Sequence, residues 1–194
     1  MRRLGVLMIS AAAAAGCKAF GAQGFLGTAI TRGGDVRAQG DPIDGGSVSS
    51  DVTYLDLGAV GYQGPLFVDF GVLSGRDSIT VRSADRTMIV HDGHPAALLY
   101  TGFGVAARDG EVDHGRLYAR LGFSGLAGGA ATTRAYEAGV EVCPWSRPRL
   151  SACGRLSLLW QRGTAVPSFS EPRGEFAAWG PMLQLGGRWG RGGR

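Results

Sequence analysis

Lysine is nearly missing from this chain: Lys18 is the only one among 20 Lys and Arg residues, so the net charge of +4 rests on arginine. The arginines are scattered or lie near glutamate, which excludes the clustered, phosphate-tracking surface of a nucleic-acid binder. Charge of either sign is sparse at 19% of residues, whereas glycine is abundant at 34. Helical spacing of apolar residues is missing beyond the first 21 positions.

The vocabulary of catalysis is equally thin. There is no Ser-His-acid ordering, nucleophile elbow or phosphate loop, and Ser124 and Ser157 have no evident histidine partner. His91 and His94 flank Asp92-Gly93, a hairpin-turn signal, but a metal would need a third ligand that the sequence does not offer. Asp109, Glu111 and Asp113 beside His114 lack the glycine and distal glutamate of a calcium loop and read as a solubilising turn. The expectation is a non-enzymatic protein with no metal, no cofactor and no nucleic-acid partner.

Cysteine is limited to Cys17, Cys143 and Cys153. Arg2-Arg3 followed by Leu4–Ala15 has the charged start and short apolar run of an export signal, too short to span a bilayer. Ala14-Ala15-Gly16-Cys17 is similar to a bacterial lipobox, which implies lipidation of Cys17; the competing reading is ordinary signal cleavage near Ala19-Phe20-Gly21. Either way the chain is exported, and Cys143 and Cys153 remain to form a disulfide in an oxidising compartment.

What is present is alternation. In Arg116–Ser124, Leu117, Ala119, Leu121 and Phe123 face one side and Arg116, Tyr118, Arg120 and Gly122 the other, as in a strand. Tyr136, Ala138, Val140 and Val142 alternate likewise with Glu137, Gly139 and Glu141. One antiparallel register pairs Arg120 with Glu137, Tyr118 with Gly139 and Arg116 with Glu141, contacts of about 0.2–1 kcal/mol each. The next hairpin sets Glu141 opposite Arg155 and Cys143 opposite Cys153, and an earlier one sets Tyr100 opposite Gly122.

Eight candidate strands follow. They include a weak one over 78–90, interrupted at Ala84-Asp85-Arg86, and a last one bulged near Gly180-Pro181. The domain organisation expected is a signal peptide over 1–21, a flexible tether over 22–50 in which Phe25–Thr31 could form a short strand or plug, a barrel over 51–190 and a polar tail over 191–194. Short turns and alternating strands point to an all-β, antiparallel up-and-down barrel, which leaves no open sheet edge.

Alternation alone leaves two assignments of the faces. A lipocalin-like barrel, tethered in the periplasm, would turn its apolar face inward around a small apolar ligand. An outer-membrane barrel would turn it toward lipid. The Arg–Glu and Tyr–Gly pairs on the polar face suit a crowded lumen holding Arg116, Arg120, Glu137, Glu141 and Arg155. Phe123, Tyr136, Trp160 and Phe176 fall near one rim and Trp189 near the other, as an interfacial aromatic girdle would. Over 51–189 the chain therefore resembles the small eight-stranded bacterial outer-membrane barrels of the OmpA, OmpX and OmpW type. That resemblance implies an outer-membrane location, contact with membrane lipid, and a structural, adhesive or interaction role through loops. An enzyme acting on lipids is a distant third.

Overall fold

The structure, a computed structural model, describes residues 17, 19–38, 41–42, 47–82, 87–109, 112–124, 131–165 and 174–191. Most of the export signal lies outside the described residues.

The strands are β1 (Ala19–Ala38), β2 (Asp41–Pro42), β3 (Ser47–Gln63), β4 (Leu66–Arg82), β5 (Thr87–Asp109), β6 (Val112–Ser124), β7 (Ala131–Arg147), β8 (Leu150–Ala165) and β9 (Gly174–Arg191). Every pairing is antiparallel between chain neighbours, and β1 closes onto β9. The two-residue β2 folds back on the end of β1, so eight staves form an up-and-down barrel. Closure satisfies every ladder without exposing an edge.

The registers follow the side-chain chemistry. Arg116 opposes Glu141 and Arg120 opposes Glu137; Glu141 opposes Arg155; Tyr100 opposes Gly122. Cys143 and Cys153 form a disulfide, with the β7–β8 ladder slipping by one residue just beyond it.

Four sequence expectations are corrected. The stretch expected as a tether is largely strand: β1 pairs with β3 from Ala19↔Tyr62 to Gly33↔Val48 and with β9 along its other edge. The stretch 78–90 is not a strand of its own, because β4 continues to Arg82 and β5 begins at Thr87. The number of staves stays at eight because β1 takes the place of that element. Asp92-Gly93 is not a turn either: β5 runs through it, and register shifts opposite 77–80 absorb the extra residues as bulges. The bulge expected in β9 is absent, since its ladder with β8 is continuous from Leu150↔Trp189 to Ala165↔Gly174. An irregularity sits instead in β1, between Arg32 and Asp35.

The two rims differ. Links β3–β4, β5–β6 and β7–β8 are two residues each and lie at the rim holding Ala19 and Arg191, whereas the opposite links span four to eight residues. On the second rim β4 and β5 stay paired to Arg82↔Thr87, far past Val72↔Leu99.

Candidate functional site: a charged lumen inside an apolar wall

Inward positions near the short-turn rim carry charge. Asp56 from β3, Asp69 from β4, Arg116 and Arg120 from β6, Glu137 and Glu141 from β7, Arg155 from β8 and Arg188 from β9 are all buried. Asp113, at the start of β6, joins them; burial and ion pairing place it in the lumen, against its expected role in a solubilising turn.

Each guanidinium bridges several strands. Arg120 donates to Asp69 (2.9 and 2.5 Å) and to Asp56 (2.9 Å), with Glu137 at 3.5 Å. Arg155 donates to Glu141 and Asp56 (2.6 Å each) and to Gln23 (2.9 Å). Arg188 donates to Asp113, to Glu141 and to the Tyr62 hydroxyl (2.9 Å for the last). Tyrosines add donors, Tyr118 to Glu137 and Tyr100 to Asp56 at 2.6 Å each. Phe25 lies under Arg155, its ring centroid 3.5 Å from the guanidinium carbon. Buried charge is tolerated when it is paired and hydrogen-bonded in this way.

The sequence-derived network of Arg116, Arg120, Glu137, Glu141 and Arg155 thus sits together. Glu141 is not simply bracketed by Arg116 and Arg155, however, because Arg188 approaches it while Arg116 stands at 4.0 Å. Sequence reasoning left out Asp56, Asp69, Arg188 and Gln23. The polar parity of β4 held the signal for Asp69, and a lone glutamine among small residues was the only one for Gln23. Toward the other rim the lumen turns apolar, with Ala29, Val52, Leu73, Leu98, Leu159 and Met182 packed beneath Tyr54 and Tyr100. Charges fill one half of the interior, and the other is mainly hydrocarbon, with the buried Gln161 donating to the Tyr54 hydroxyl (3.1 Å).

The disulfide brings Cys143 and Cys153 beside Glu141. Both sulfurs are joined to each other and Arg188 donates into the group, so its chemistry is ion pairing. Ser157 is buried on the lumen face, and His114 is exposed. The side chains of His91, His94 and Ser124, and residue Glu111, lie outside the described residues.

The outer wall is the reverse of the lumen. Phe103 is 68%, Leu185 66% and Trp179 63% exposed, and leucine, isoleucine and valine recur at outward positions of the other staves. Tyr136 and Trp160 touch, ring centroids 5.0 Å apart, and Trp160 pairs with Trp179. Phe123 faces outward, half-buried. Phe176 does not belong with them: it is 3% exposed and points into the lumen. Without a bulge, the even positions of β9 from 176 to 184 all face inward, so Trp179 takes the outward place. Trp145 and Trp189 stand at the short-turn end. Beyond the Tyr136–Trp160–Trp179 row the exposed residues include the charged Arg32, Asp51, Arg134 and Arg162.

Cys17, half-buried at the short-turn rim, borders an apolar trough on this outer wall that is lined by Leu66, Phe103, Val105 and Leu117. No protein-family model matches the chain, and no curated protein matches its sequence.

Proposed function

We propose that the chain is an outer-membrane β-barrel: a closed scaffold that crosses the bilayer and performs a structural, adhesive or interaction role at its long-link rim. One observation carries the reading, the inversion of polarity between ion-paired lumen and apolar wall. In water, the 23 large apolar side chains exposed on the exterior among the described residues would cost hydrophobic free energy at about 25 cal/mol per Å². In a bilayer the same face is matched to its solvent.

The dimensions agree. From Leu150 to Trp160 on β8, and from Trp179 to Trp189 on β9, the aromatic levels are ten residues apart. Ten residues span about 33 Å along a strand, or about 25 Å of height at a tilt near 40°, the height of the apolar band in such barrels.

The short-turn rim, which holds both ends of the barrel, faces the periplasm in this reading. The long-link rim, with its projecting β4–β5 hairpin, faces outward and meets partners. Cys17 then lies at the inner leaflet beside the apolar trough, where a lipid attached to its sulfur would enter hydrocarbon directly. Cleavage near Ala19-Phe20-Gly21 would instead trim residues that pair with β3 and β9; lipidation at Cys17 leaves β1 whole.

The competing lipocalin-like reading requires an apolar interior around a ligand, and the charges of the short-turn half occupy that space. Heat-modifiable migration in detergent, together with outer-membrane fractionation, tests the proposal. A protein that fractionates as soluble once its anchor is removed would refute it.

A further inference from the structure

The mouth of the lumen at the short-turn rim holds a feature that the scaffold role does not require. A cavity of about 40 Å³ opens there, lined by Arg108, Arg147, Arg149, Arg188, Asp113 and Trp189 among others. Four arginines thus line the cavity with one carboxylate, the Arg147 guanidinium carbon also lying 5.8 Å from the Trp145 ring centroid. Arg108 and Arg188 already share Asp113. Arg147 and Arg149 are exposed and make no ion pair among the described residues. Arg188 is 4% exposed, yet its Nε has no hydrogen-bond partner among the described residues.

The backbone adds a separate observation. Arg149 has φ of 78°, the one non-glycine residue in the left-handed region among those described. It follows Pro148 in the two-residue turn between β7 and β8, a position that ordinarily takes glycine or asparagine. An arginine held there costs backbone free energy that glycine would avoid, and strained residues of this kind gather at ligand sites.

We infer that this mouth is a binding site for a single phosphate group, held by Arg147 and Arg149 over a floor of Arg188. Guanidinium forks match phosphate oxygens in charge and shape. The cavity is large enough for about three waters, which suits one tetrahedral head and excludes a larger ligand from the lumen. The phosphate can belong to a phospholipid headgroup at the rim or to a free anion; both present the same oxygens. The inference stands on the mouth geometry and does not depend on the membrane reading.

Arg149→Gly separates function from folding because its two effects run in opposite directions. The full chain, refolded in neutral detergent, is titrated with inorganic phosphate against chloride at equal ionic strength, following tryptophan fluorescence (Trp189 lines the cavity) and the melting temperature. In a second arm the chain is melted in phosphatidylglycerol and in phosphatidylcholine vesicles. The wild type should be stabilised by phosphate, by phosphatidylglycerol relative to phosphatidylcholine, or by both, and the responding arm identifies the source. Arg149→Gly should melt higher than wild type without ligand, yet bind about tenfold more weakly or worse, the loss of one strong charge-assisted contact. Arg134→Gln, on the opposite rim, should respond as wild type. No stabilisation of the wild type in either arm, an undiminished response in Arg149→Gly, or an equal loss in Arg134→Gln would overturn the inference.

Discussion

Glu141→Gln removes one negative charge from the centre of the lumen while keeping the side chain's shape. Five carboxylates (Asp56, Asp69, Asp113, Glu137 and Glu141) face four buried guanidiniums (Arg116, Arg120, Arg155 and Arg188) and the half-buried Arg108. The balance is zero, and the substitution leaves it at +1 in a buried interior. Glu141 accepts from Arg155 at 2.6 Å and from Arg188, and Arg116 stands at 4.0 Å. A glutamine keeps one acceptor and turns an amide donor toward one of these cations. Removing one partner of a buried pair costs about 3–5 kcal/mol. At about 2–4 °C per kcal/mol for a chain of this size, the melting temperature should fall by about 6–20 °C. Equilibrium urea unfolding in detergent, followed by tryptophan fluorescence, measures the loss. The exposed pair Arg32–Asp51, at 57% and 63% side-chain exposure, supplies the control, since Arg32→Gln should cost less than about 1 kcal/mol. If Glu141→Gln costs no more than that control, the lumen is hydrated and the reasoning fails.

Two further predictions concern the same interior. Replacing both Cys143 and Cys153 by serine removes a cross-link of sequence separation 10 and should cost about 2–3 kcal/mol on the loop-entropy view, measured as a shift of the urea midpoint; an unchanged midpoint would mean that the ladders alone fix the β7–β8 turn. Gly102→Val should cost at least about 3 kcal/mol, because a Cβ there would overlap the Asp69 carboxylate and lie 2.5 Å from Arg120 Cγ. Its measure is the fraction of protein that refolds to the heat-modifiable form, and normal refolding would show that Arg120 can move without penalty.

Much of this architecture was legible because period-two alternation fixes faces, and because opposite charges and Tyr–Gly pairs select one register among several. The Arg116–Glu141 and Arg120–Glu137 pairs needed nothing more. β1 was legible only in part, as a short strand over Phe25–Thr31, for a physical reason. Its lumen face carries Phe25 and Ala29 while its outer face carries Gly24 and Thr28, so the contrast between faces is weak; Phe25 is inside because it packs under Arg155. Phe176 was misplaced by a bulge assumed at Gly180-Pro181, since one such insertion reverses the facing of half a strand. Asp92-Gly93 has the residues of a tight turn, but in β5 they serve a bulge. Asp113 looked like a solvated turn residue because Arg188 reaches it from β9 only when the barrel closes, and because its pairing with Arg108 depends on the register shift in the β5–β6 hairpin.

The central claim is that the outer wall meets hydrocarbon. Trp179, 63% exposed in the aromatic row at the long-link edge of the apolar band, reports on it directly. In a variant with Trp145, Trp160 and Trp189 changed to phenylalanine, reconstituted into vesicles of bromine-labelled phospholipid, the account predicts strong quenching of Trp179 fluorescence relative to unlabelled vesicles. Fluorescence unaffected by bromine, in a folded and vesicle-mixed sample, would contradict it.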